Sequence, residues 1–510
     1  MAVNYVAWRV EIEQATMLSH SRILTILSLF TLSCFLPACG PTDRDLALSD
    51  REMLWRKAAT CEGELTLERA IALALQHNLD YAAKIREEEI LREASTGERL
   101  RLLPNLMAKG EATRRDRPMA ATDMDFETSV RNKQATVASD ESRRSWNLAA
   151  VWNVLDFGIA YFHSRAAAFQ ASAGAERLRR ARQNLALDVT RLWWKAQAAA
   201  NALKEAEHVA EKLEELQQTI QQQIAEKAIP EIEAREMEVT LTLLRIRLQD
   251  LRQEARTGRV ELAFLVGLAP AANFILPRFE VAEIKLPQPD IEAWEEEALQ
   301  QRPEMVAMAA EEMVRVHDLR AQIAGFFPGT SLWLSREGDS NSFLIYNQWA
   351  VAGLQVAWDL LSLPRRAALL KQARARREHV KAQRLALAAG ILAQVHLAAI
   401  EMDDAAEQYR LAKQLHTARE RQLEAIQRRV ESGEVGQHVL YRLEAETLLA
   451  KTRMLTAFAD FQVAQARLHN SLGREPWAAQ AEMAAKISPN AATPEGAPLS
   501  VPGMPAEIEE

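Results

Sequence analysis

The chain has 510 residues, with 62 Lys and Arg against 70 Asp and Glu, a net charge of −8 whose signs are interspersed. That balance argues against a nucleic-acid partner, which needs a concentrated basic stripe. Hydrophobic residues reach 48% but aromatic ones only 6%, with 18 Gly and 18 Pro, a composition expected of long helices and not of a compact α/β enzyme.

The chain opens on a targeting segment, assigned to residues 1–38. Arg22 precedes the apolar run Ile23 to Leu36, too short to span a bilayer but fitting a signal core. The residues before Met17 do not suit such a signal, so translation is expected to begin at Met17. The run ends in Leu36-Pro37-Ala38-Cys39-Gly40, which resembles a bacterial lipobox and implies a lipidated Cys39. Cys34 is a weaker candidate, and an ordinary cleaved signal without lipid is the alternative. With Cys39 acylated, Cys61 is the one cysteine left after cleavage, and no intramolecular disulfide can form. Residues 39–64 read as a polar, lipidated tether.

From residue 65 the sequence repeats itself. Leu79-Asp80 aligns with Pro303-Glu304, and Leu103-Pro104 with Phe327-Pro328, each 224 positions on. Farther along the offset is 206: Trp152 with Trp358, Val189 with Val395, Gly267 with Gly473. The change falls in the polar stretch Arg114 to Arg144, expected to be a surface loop. One unit is therefore duplicated, at 65–290 and 291–485, each reading helix, strand, loop, strand, long helix, turn, long helix.

The strands announce themselves by parity. Even positions are apolar (Trp146, Leu148, Trp152 and Val154, then Leu354, Val356 and Trp358), as are Leu106, Ala108 and Ala112 in the first strand. Odd positions carry Asn147, Asn153, Gln355 and Asp359. Period-two alternation gives each strand one greasy and one wet face, and the greasy residues are expected to face lipid. Trp333 breaks the rule. Four strands leave two raw edges, and each unpaired backbone group in hydrocarbon costs several kcal/mol. They are also too few for a barrel, whose smallest form has about eight, so the sheet must be shared between chains.

Between Tyr161 and Lys227 there is no proline and a single glycine, Gly174, so roughly 66 residues at ~1.5 Å each predict a rod of about 100 Å. The return helix carries a heptad seam at Met237, Leu241, Leu244, Leu248, Leu251 and Ala255, copied at Leu443, Thr447, Ala450, Met454, Ala457 and Phe461. A 3.5 period calls for partner helices. Trp193-Trp194 reads as interhelical packing or an interfacial anchor. The Pro/Ala-rich tail at 486–510 is expected to be disordered.

These features resemble the TolC-like outer-membrane efflux family from about Leu65 to Trp477. The residues that carry the likeness are Leu65-Thr66-Leu67-Glu68, Ala74-Leu75-Gln76-His77-Asn78, Leu103-Pro104, Trp152-Asn153-Val154-Leu155-Asp156, Leu265-Val266-Gly267-Leu268 and Arg428 to Leu440. The resemblance implies a mainly α fold with a small β part. It also implies a homotrimer with a shared twelve-stranded outer-membrane β-barrel over a periplasmic α-barrel. Partners would be outer-membrane lipid, a periplasmic adaptor and an inner-membrane pump, with this chain a passive exit duct for efflux or type I secretion. The tips that dock the adaptor would be Gly433, Glu434, Val435 and Gly436, and in the first unit Ala228, Ile229 and Pro230. Arg442 and Glu444 are aperture candidates. The chain departs from the family at the first tip, where Lys227 and Pro230 stand in place of glycines.

No HExxH motif, clustered carboxylates or nucleotide-binding loop accompany the ten dispersed histidines, so no enzyme, cofactor or metal is expected. The rival reading is a periplasmic coiled-coil scaffolding lipoprotein without channel activity, which would not need Trp146, Leu148, Trp152 and Val154 facing lipid.

Overall fold

The computed structural model describes residues 49–53, 63–117, 119–122, 124, 126–131, 134–225, 231–270, 272–277, 284 and 290–475. Residues 1–58 form a separate unit in which 49–53 are helical. The signal segment with Met17, Cys39, most of the tether, the first tip (Ala228, Ile229, Pro230) and the tail lie outside the described residues.

The second unit, residues 59–510, is built in two repeats. Helices α1 (Leu67–His77) and α2 (Leu79–Leu100) recur as α5 (Ile291–Gln301) and α6 (Pro303–Ala324), all four boundaries shifted by 224. Strand β1 (Asn105–Arg114) recurs as β5 (Gly329–Asp339), and β4 (Ser142–Asn153) as β6 (Gln348–Ala357). The long α3 (Val154–Ala225) and its return α4 (Glu231–Val266) correspond to α7 (Leu363–Glu431) and α8 (Gln437–Ser471), shifted by about 206. At ~1.5 Å per residue, the 72 residues of α3 span roughly 108 Å. The first hairpin's loop is more than polar coil, for it holds a small hairpin of β2 (Ala120–Ala121) and β3 (Thr136–Val137).

Local chemistry explains the boundaries. Thr66 caps α1 by accepting the Arg69 N–H (3.3 Å), and Asn78 caps α2 by accepting that of Tyr81 (2.9 Å). The Asn78 amide also donates to the Leu265 carbonyl (3.0 Å), pinning the α1–α2 joint to the end of α4.

Two apolar cores lie where the short helices α1 and α5 meet the long ones. The first gathers Ala70, Ile71, Leu185, Val189, Trp193, Leu262 and Val266, and the second their counterparts Trp294, Ile391, Val395, Leu468 and Leu472. Trp193 is buried and donates its indole N–H to the Leu65 carbonyl (2.8 Å), while Trp194 meets Phe458 edge-on. Both tryptophans are thus packing residues. The six seam residues of α8, from Leu443 to Phe461, are all buried. In α4 the seam is described from Leu248, which is half-buried, through Leu251 and Ala255, both buried.

Beyond these cores α3 packs against α4 on one side and α8 on the other, and α8 against α7, so the helices run in the order α4, α3, α8, α7. Among the described residues no further long helix covers the outer flanks of α4 and α7.

Candidate functional site

The four long strands form one antiparallel sheet in the order β1, β4, β5, β6. Register places even residues opposite even ones throughout: Leu106 faces Ala150, Trp152 faces Leu332, and Leu332 faces Leu354. One face is therefore apolar from edge to edge (Leu106, Leu148, Trp152, Leu334, Leu354 and Val356), with Arg114, Arg144 and Arg336 its charged members. The other carries Lys109, Asn147, Ser335, Glu337 and Gln355, and there Asn147 donates to Glu337 (2.9 Å), as does Ser335 (3.1 Å). Exposure runs opposite to that of a water-soluble hairpin. Along β4 the apolar Trp146, Leu148 and Trp152 are exposed, whereas the polar-face residues Ser145, Asn147 and Asn153 are half-buried. The outer edges of β1 and β6 have no strand partner among the described residues.

Trp333, the exception to parity, sits on the polar face. Its ring lies over Gly353 of the neighbouring strand, where a Cβ would come within 2.1–2.6 Å of the indole. On the apolar face Trp146 covers Gly338 likewise, at 2.2–2.9 Å. Each tryptophan needs a glycine beside it, and the glycine's missing side chain is replaced by the ring.

At the far ends of the strands the two hairpins are laced together. Arg143 pairs with the buried Asp339 (Nε to Oδ2, 2.6 Å), and Asp140 accepts from both the backbone N–H (2.6 Å) and hydroxyl (2.8 Å) of Ser342.

At the near ends, two expectations need correction. Val154 is not a strand residue but the first residue of α3, and Trp358 lies one position past β6. The cause is capping. The Asn153 side chain accepts the N–H groups of Leu155 (3.1 Å) and Asp156 (3.2 Å), and Asp359 accepts that of Ser362 (3.2 Å). Placed by parity on the wet face, Asn153 starts α3, and Asp359 starts the 3-10 turn Leu360–Ser362 that leads into α7. The Trp-Asn/Asp repeat itself held the signal, since Asn and Asp are strong helix N-caps.

The turn between α7 and α8 is built from Gly433, Glu434, Val435 and Gly436. Gly433 has φ +77°, the Glu434 N–H donates to the Arg429 carbonyl (3.0 Å), and the Gly433 N–H to that of Val430 (3.0 Å). This paired closure of a helix end requires the left-handed conformation glycine supplies. A Cβ on Gly433 would meet nothing within 4 Å among the described residues. Arg429 and Glu434 form an exposed ion pair across the turn (3.2 Å).

Past this tip, Arg442 reaches Glu446 (3.7 Å), which is also held by Arg419 of α7 (2.9 Å). Arg442 and Glu444, two positions apart on a helix, point in different directions. Three histidines on the helices, His317, His416 and His469, have imidazoles held below their usual pKa, chiefly by burial. Among the described residues no three His, Cys, Asp or Glu side chains converge as a metal site would require.

The open flanks carry apolar stripes at heptad spacing. On α7 these are Ala386, Gly390, Ala393, Leu397 and Ile400, and on α4 Ile232, Val239, Leu243, Ile246, Val260 and Phe264, all exposed. The stretch of α7 around Leu397 is apolar enough to cross a membrane. Arg384, His396 and Glu401 share its surface, however, so a single stripe and not the whole circumference is apolar.

Residues 294–474 match the family described as outer membrane efflux protein. Among the curated proteins none matches the sequence. Solved structures do. The Campylobacter jejuni CmeC outer membrane channel superposes with a TM-score of 0.66 at 14% identity, over 82% of this chain and 89% of that one. The outer-membrane channel OprN gives 0.65 at 18%, over 81% and 90%. The open state of the Neisseria gonorrhoeae MtrE outer membrane channel gives 0.64 at 19%, over 80% and 89%. At these identities the likeness shows a common fold.

Proposed function

From a chain that matches the outer membrane efflux protein family in residues 294–474 and has the fold of outer-membrane channels, we propose a passive exit duct in the outer membrane of a Gram-negative cell. The observation that carries the reading is the sheet, apolar and exposed on one face, polar on the other, and unpaired at both edges. Hydrocarbon accepts the apolar face but not the edges. Three copies, joined β1 to β6, would supply twelve strands and abolish the edges, with the polar face lining the pore. Below the strands the stripe of α7 in one copy would meet that of α4 in the next, continuing the wall as a helical tunnel in the periplasm. A scaffolding lipoprotein would gain nothing from such a sheet.

In this reading Cys39, once acylated, adds a lipid anchor. The tips, Gly433 to Gly436 and Ala228 to Pro230, dock a periplasmic adaptor that connects to an inner-membrane pump, the source of energy. Arg442 and Glu444 stand near the closed end as aperture candidates. Gly433→Trp tests the docking role, because among the described residues its side chain would enter open space and the left-handed backbone would cost it only about 1–2 kcal/mol. The expected result is loss of export with oligomer and localisation unchanged, and loss of adaptor capture by a photo-crosslinker placed at Glu434. Wild-type export by the variant would refute docking at this turn.

A further inference from the structure

A cavity of about 440 Å³ opens where strands give way to helices, between the start of α3 and the end of α6. Its walls are apolar, formed by Val154, Leu155, Phe162, Ile323 and Phe327, with Gly158 on the floor and Arg320 at the rim. The volume falls within the roughly 300–1,000 Å³ of ligand pockets. Val154 and Thr330, both lining it, lie immediately beyond the last pair of the β4–β5 ladder, Asn153 with Ser331, Thr330 on the same face as Leu332. The cavity is therefore continuous with the apolar face of the sheet, at the end nearest the helices.

The rim is cationic. Arg320 lines it and is exposed, and Arg165, outside the lining but one turn beyond Phe162 on α3, is exposed as well. Among the described residues neither guanidinium has a carboxylate within ion-pairing distance. Both are close enough to the buried His317 to disfavour its protonation, after the larger effect of burial. Greasy walls under a pair of uncompensated cations, level with the end of a lipid-facing sheet, match one kind of molecule.

We propose that this cavity is a phospholipid site, an acyl chain lying between α3 and α6 and the lipid phosphate resting on Arg320 and Arg165. The proposal rests on the channel reading only in taking the apolar face to meet lipid. Because the site lies between two helices of one protomer, away from the open flanks of α4 and α7, oligomer closure would leave it accessible. Gly158 admits a test of the acyl chain independent of charge, since a Cβ there meets nothing within 4 Å.

The experiment is native mass spectrometry of the full-length protein in detergent, titrated with dioleoylphosphatidylglycerol. The expected result is one retained lipid per chain, with affinity falling at least tenfold in both Arg165→Gln/Arg320→Gln and Gly158→Leu. Millimolar inorganic phosphate is expected to leave the lipid in place. Unchanged lipid retention by either variant, absence of retention by the wild type, or displacement by inorganic phosphate would each overturn the proposal. Membrane fractionation and oligomeric mass, read on the same preparations, report separately on the channel reading.

Discussion

Three glycines, Gly267, Gly433 and Gly473, each end a long helix with a positive φ and the same pair of backbone hydrogen bonds. Their surroundings separate them. A Cβ on Gly473 would stand 3.0–3.1 Å from the backbone of Gln301 and Arg302, and one on Gly267 within 2.6–2.9 Å of His77, whereas Gly433 faces open space. Left-handed backbone costs a residue with a side chain about 1–2 kcal/mol, and a forced contact with backbone adds to it. Gly473→Ala is therefore expected to lower the denaturation midpoint clearly more than Gly433→Ala, by circular dichroism of the detergent-solubilised protein. Equal effects would mean that the α5–α6 joint yields to the extra methyl. The repeat offset marked Gly267 and Gly473 as equivalent in the sequence. It could not reveal that both press on a helix joint, because those contacts bridge residues 190 (Gly267 to His77) and 171 (Gly473 to Arg302) positions apart. Asn153 and Asp359 misled for a related reason, since an odd-numbered polar residue suits a pore wall and a helix cap alike.

At the scale of elements, the long helices hold buried imidazoles. His416 on α7 and His317 on α6 are both kept below their usual pKa, burial being the larger cause in each, and in both the buried ring Nδ1 has no hydrogen-bond partner among the described residues. A depressed folded-state pKa gives stability that is complete above the unfolded value of about 6.5 and is lost as pH falls through the folded one. The urea midpoint of the helical part should thus fall between pH 7.5 and pH 5.5. His317→Gln, His416→Gln should flatten the dependence, and an unaltered slope would place its origin elsewhere. The heptad seam of α8 was legible because each of its positions is apolar or small, or is Thr447, whose hydroxyl bonds back to the Leu443 carbonyl (2.7 Å). The second stripe, on α7, was not singled out in the sequence. Alanines and Gly390 give it little contrast until burial of the opposite side shows what remains uncovered.

For the whole molecule, two pairs of unfinished surfaces decide the architecture: the strand edges β1 and β6, and the flanks of α4 and α7. In the proposed assembly each finds its complement on another copy. Leu397→Lys, Ile400→Glu would put charge into the α7 stripe and is expected to yield monomers in detergent by light scattering. A trimer that persists would assign that stripe to another partner. Duplication and strand parity were readable from residue order, because offsets of 224 and 206 and a period of two are properties of the chain itself. Which copy meets which is a property of the assembly, and sequence states it only as a deficit. The most direct measurement of the central claim is oxidative crosslinking in isolated outer membranes of paired cysteines, one at positions 106, 108 or 110 of β1 and one at 350, 352 or 354 of β6. Closure of the barrel by neighbouring copies predicts a covalent ladder ending at three chains for at least one register. Uncrosslinked single chains in every combination would contradict it.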